Sequence, residues 1–110
     1  MSLIERMKSA PTRRVQQVKG TSLGDDVYVR EMTGREFDDA ARDHKNDDGS
    51  LGRVEFVALT LCDKDGNPAV EFHNPEHRAI VGNLGNATLT ALFKAAQDIN
   101  GIGNPTDGED

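Results

Sequence analysis

Residues 53–70 read RVEFVALTLCDKDGNPAV and residues 86–103 read NATLTALFKAAQDINGIG. An apolar helical pattern thus recurs twice around an acidic turn. In the second stretch Leu89, Leu92, Phe93, Ala96 and Ile99 fall at i, i+3, i+4 and i+7 spacing. This predicts an amphipathic helix over 87–100, with Gly101 as the residue that ends it. The first stretch predicts a helix from Ser50 to about Cys62. Its core face carries Leu51, Val54, Val57, Ala58, Leu61 and Cys62. Phe56 and Leu59 lie well off that face. A strand is the rival reading, because VEFVALTL is rich in β-branched and apolar residues. Helices apolar on two sides are either central or shared with a partner.

The rest of the chain is arranged around these two segments. Ser2 and Glu5 have the spacing of a capping box and start a helix over 3–9, whose stripe is Leu3, Ile4 and Met7. Pro11 cannot continue it. Residues 14–18 and 26–31 read as short strands, the second with Val27 and Val29 alternating against Tyr28 and Arg30. KGTSLGD between them predicts a hairpin, which is marginal alone and must lie on the helices. Thr33 and Glu36 repeat the capping box before a helix over 34–45, with Phe37, Ala40, Ala41 and His44 on one face. NDDGS at 46–50 reads as a loop. DKDG at 63–66 is a turn in which Gly66 takes positive φ. Asn74 and Pro75 form an N-cap and N1 pair opening a helix to about Val81, with Ile80 and Val81 inward. NLGN at 83–86 breaks it. The expected fold class is α+β, mainly α: an N-terminal helix and a short hairpin packed on a bundle of about four helices. Residues 1–101 form a single globular domain, and 102–110 an acidic tail too poor in core formers to order.

Composition narrows the class of function. The 110 residues are 35% apolar, with no Trp, one Tyr and four Phe, so the core must be aliphatic. A chain this long buries roughly two thirds of its unfolded surface. The net charge of −6 conceals an asymmetry. Residues 1–20 carry Arg6, Lys8, Arg13, Arg14 and Lys19 against Glu5 alone, leaving an acidic body beyond them. That body repels phosphate backbones, and aromatic residues do not interleave with basic ones, so nucleic-acid binding is not expected. No 18-residue apolar stretch or signal-peptide core is present, so neither a membrane span nor export is expected. A lone Cys62 inside an apolar run is expected as a buried thiol in a reducing compartment.

Candidate chemistry is weak at each place it could arise. His73 and His77 have H-x-x-x-H spacing, but Pro75 starts the helix between them, and Cys62 is the only thiol. Asp63, Asp65 and Asn67 suggest a calcium loop, yet Gly66 comes two places too early for an EF-hand and no Glu follows at the twelfth position. GTSLG at 20–24 lacks the lysine of a P-loop. No enzyme activity, metal or cofactor is expected.

Three segments taken in order, Val27 to Glu36, Leu59 to Pro68 and Leu92 to Gly101, together with the MSLIERM opening, resemble the tail assembly chaperones of long-tailed bacteriophages. The shared features are V-x-V-R-x-[LM]-T-G-x-E, then L-x-L-x-D-x-D-G-N-P, then L-F-x-A-A-x-x-I-N-G. The resemblance implies a non-enzymatic protein of the host cytoplasm that is absent from the mature virion. It would bind the tape measure protein, keep it soluble and help recruit tail tube subunits, in many phages through a frameshifted longer form. A virion structural protein, such as a head–tail connector or tail-completion subunit, is the alternative. A metal-dependent enzyme using His73, His77 and Cys62 ranks behind it. The expected partner-binding residues are Phe56 and Leu59, with Leu92 and Phe93 at the margin. Their exposure would also allow a homo-oligomer when the partner is absent.

Overall fold

A computed structural model describes residues 2–9, 14–44 and 51–101. The elements run α1 (Leu3–Ser9), β1 (Val15–Gln17), β2 (Tyr28–Arg30), α2 (Gly34–His44), α3 (Arg53–Thr60), β3 (Leu61–Cys62), α4 (Pro75–Gly82) and α5 (Asn86–Ile99). The class is α+β, mainly α, as the sequence predicts.

Local signals fix most element starts. Ser2 Oγ accepts from the Glu5 N–H at 3.2 Å while Glu5 Oε1 accepts from the Ser2 N–H at 3.2 Å, closing the box at α1. Thr33 and Glu36 do the same at α2, at 3.1 and 2.9 Å. At α4 the Asn74 side chain accepts from Glu76 and His77, with Pro75 at the first turn. Each box satisfies backbone donors that a helix start otherwise leaves bare. Gly66 and Gly101 take φ of 86° and 66°, so both turns need the conformation that glycine adopts without strain.

β1 and β2 pair antiparallel in the register Val15↔Arg30, Gln16↔Val29 and Gln17↔Tyr28. The hairpin is joined by a strand that the sequence reading missed. α3 ends at Thr60 rather than Cys62, and Leu61 turns straight into extended backbone. β3 then pairs antiparallel with β2, Tyr28↔Cys62 and Val29↔Leu61, making β2 the central strand. Pairing with a strand distant in sequence overrides the helical periodicity over those two residues.

The core lies where α3 meets α5, α4 and β2. Val57, Thr60, Leu92 and Val29 are enclosed there. The Thr60 hydroxyl donates to the Val57 carbonyl at 3.1 Å, so its burial leaves no bare polar atom. Cys62 is buried, as its apolar setting predicts.

Two expectations about which way a side chain faces fail. Ile80 is an exposed apolar side chain, whereas Val81 is buried. Successive helical residues point about 100° apart, and so short a helix has one face for the core. Arg30, expected to alternate outward from Val29, is buried. Residues 46–50 and the 102–110 tail lie outside the described residues.

Candidate interaction surface

The four expected partner-binding residues do not form a surface. Phe56 is 3% exposed and Leu59 8%, Leu92 is buried, and only Phe93 keeps part of its ring at the surface. The expectation that Phe56 and Leu59 face a partner is therefore corrected. Phe56 sits between two other rings, 6.1 Å from Phe37 of α2 and 5.9 Å from Phe93 of α5, both edge to face. Leu59 faces the segment after the acidic turn, in a groove shared with Pro68, Val70 and Phe72. The physical reason is that α3 is central. Neighbours on several sides use its wide apolar arc, the first of the two fates open to such a helix.

The exposed large apolar side chains lie elsewhere. Leu3, Ile4 and Met7 are 61%, 58% and 55% exposed, and together they make one stripe on α1. Ile80 and Leu23 are exposed singly. Isolated apolar residues at a surface are ordinary, but three on one face of a short helix form a patch. The stripe was legible in the sequence.

A second feature escaped the sequence reading. Arg30 Nη2 donates to the Leu59 carbonyl at 3.1 Å, near the end of α3, and Nη1 pairs with Glu36 at 3.3 Å. The guanidinium thus meets the carbonyl-rich end of α3 and the carboxylate in the first turn of α2. Among the described residues its Nε has no hydrogen-bond partner. Asn100 completes the cluster: its Oδ1 accepts from the Met32 N–H at 2.8 Å, and its Nδ2 donates to the Arg30 and Ala96 carbonyls at 3.2 and 2.9 Å. Val27–Glu36, Leu59–Pro68 and Leu92–Gly101 therefore converge on one polar junction.

The candidate metal groups do not assemble. His77 Nδ1 accepts from the Glu71 N–H at 3.0 Å. His73 instead lies against Phe72 and His44, with ring centroids 5.2 and 5.8 Å away. Among the described residues no group of three or more His, Cys, Asp or Glu side chains is placed to hold a metal ion. Asp63 Oδ1 accepts from the Asp65 and Asn67 N–H groups at 2.8 and 3.0 Å, so the acidic loop spends its carboxylate on its own turn. The Asn67 amide foremost, then those of Asp65 and Gly66 with the Asn67 side chain, holds the Asp63 carboxyl below the usual carboxylate range despite some desolvation.

Among the described residues no helix is long and apolar enough to cross a membrane. No family model, curated protein or solved structure matches this chain.

Proposed function

We propose that this protein is a phage tail assembly chaperone that acts without catalysis. It binds the tape measure protein in the host cytoplasm, keeps it soluble, helps bring tail tube subunits to it and leaves before the virion is complete. The observation that carries the reading is the ordered set of three segments that resembles the chaperones. Their convergence on Arg30, Leu59 and Asn100 supports it, because residues that lock one another in place are those a shared fold would keep. The client contact is reassigned from α3 to the Leu3, Ile4 and Met7 stripe, which is apolar, helical and exposed. A tape measure offers apolar helical stripes of its own, and two such faces pack by interleaving side chains.

The test is co-expression with a tape measure protein from the same genome. Ile4→Glu with Met7→Glu should leave the domain folded and send the tape measure into the insoluble fraction. Unchanged tape measure solubility with this variant would reject the α1 surface. Detecting the protein by mass spectrometry in purified virions would overturn the chaperone reading in favour of a connector or tail-completion subunit.

A further inference from the structure

We infer that α1 of one chain docks, through Leu3, Ile4 and Met7, into a groove on a second copy of this chain, and that the exchange is reciprocal. The groove is lined by Met32, Thr33, Gly34, Phe37, Asp38 and Asn100, between the exit of β2, the start of α2 and the end of α5. Met32 and Phe37 pack on the core with one side and leave the other to the groove. An apolar stripe on α1 and a groove with apolar walls are therefore open in the same chain.

Charge selects the occupant. The arm, residues 1–13, carries Arg6, Lys8 and Arg13 against Glu5, a net +2, whereas residues 14–110 carry −8. An arm is therefore attracted to the body of another copy, while two arms repel each other and two bodies repel each other. The groove lining holds one carboxylate, Asp38, and no cation. Pairing of α1 with α1 would bring two net-positive arms together, so arm-to-body docking is favoured.

Position favours reciprocity. Arg14, where the chain enters β1, donates from Nη2 to the Ile99 carbonyl at 2.8 Å, one residue from Asn100 of the groove. The arm therefore springs from the groove's edge. Two copies meeting at that edge each pass an arm across to the other, which closes a two-fold dimer and covers both stripes until a client displaces the arms. Such an exchange buries on the order of 1,000 Å² in total, at the lower edge of stable interfaces, so the dimer forms and falls apart with concentration.

Sedimentation velocity of the purified protein tests this without any client. A monomer–dimer equilibrium is expected at micromolar concentrations. Ile4→Glu with Met7→Glu should raise the apparent dissociation constant at least ten-fold, and Asp38→Lys on the exposed rim should weaken it too, with circular dichroism unchanged in both. A chain carrying Met7→Cys mixed with one carrying Asp38→Cys should give a disulfide-linked dimer. A monomer at every concentration, or a dimer indifferent to the α1 changes, would overturn the inference. So would rapid intramolecular linkage of a dilute chain carrying both cysteines. The dimer is read with no tape measure present, so a monomer here leaves the chaperone reading standing.

Discussion

Asn100 clasps the backbone of Met32: its side-chain oxygen accepts from the Met32 amide at 2.8 Å across 68 positions of sequence. Its amide nitrogen donates to the Arg30 carbonyl on the same strand exit and to Ala96 one turn back in α5. One side chain thereby ties the end of the last helix to the central strand. Asn100→Ala removes these bonds and strands a part-buried N–H. The expected cost is about 1–3 kcal/mol. For a chain of this size that lowers Tm by roughly 4–8 °C per kcal/mol, read by thermal or urea denaturation. Asn100→Asp keeps the acceptor but turns a carboxylate oxygen toward the Arg30 and Ala96 carbonyls, so it should be no more stable than Asn100→Ala at neutral pH.

Arg30 and Glu36 form the second lock, and removing its partners should be unequal in effect. Glu36→Ala deprives the buried guanidinium of its carboxylate and also the Thr33 amide of its acceptor. A loss of about 2–4 kcal/mol is expected, since a buried charge is left short of compensation and the helix start loses its box. The double change Arg30→Met with Glu36→Gln removes the charge as well, so it should be less destabilising than Glu36→Ala. A double-mutant cycle on urea midpoints checks the sign. If the double variant is the weaker of the two, burial of the charge is not the source of the cost.

These locks also explain what the sequence could and could not tell. Element starts were legible because capping is local: Ser2 with Glu5, Thr33 with Glu36, and Asn74 with Pro75 each act within one turn. The turn glycines were legible for the same reason. The extra strand was not, because Leu61 and Cys62 become strand only by pairing with Val29 and Tyr28, more than 30 positions away. Phe56 misled for a related reason. A wide apolar arc on one helix says that much surface is covered, but not whether the cover comes from Phe37 and Phe93 of the same chain or from a client.

Burial at α3 and α5 and exposure at α1 make opposite forecasts for like substitutions. Phe56→Asp and Leu59→Asp place a charge in the interior and should prevent cooperative folding, whether or not a client is present. Leu92→Ala should cost about 2–5 kcal/mol, because neighbours around a residue without exposed surface collapse only in part. Leu3→Ala, by contrast, should leave the unfolding midpoint of dilute protein within experimental error. Loss of cooperative melting on changing Leu3 would place α1 in the core.

Cooperative melting as a function of acidity isolates the turn at 63–67. The Asp63 carboxylate is exposed, yet the Asn67 and Asp65 amides hold its pKa below the ordinary carboxylate value. A group whose folded pKa is depressed stabilises the fold above its unfolded pKa, and the contribution disappears as pH falls through the folded value. At neutral pH the ionised acceptor therefore favours the turn, and Asp63→Ala should be less stable than the native chain. The difference should shrink below about pH 4. Asp63→Asn keeps an acceptor without the charge, so it should lie between the two at pH 7 and vary least with acidity near pH 3. Urea midpoints measured from pH 7 to pH 2 decide the matter: a difference that stays constant over that range would mean that the loop is held by backbone geometry alone, with Gly66 at positive φ the remaining cause.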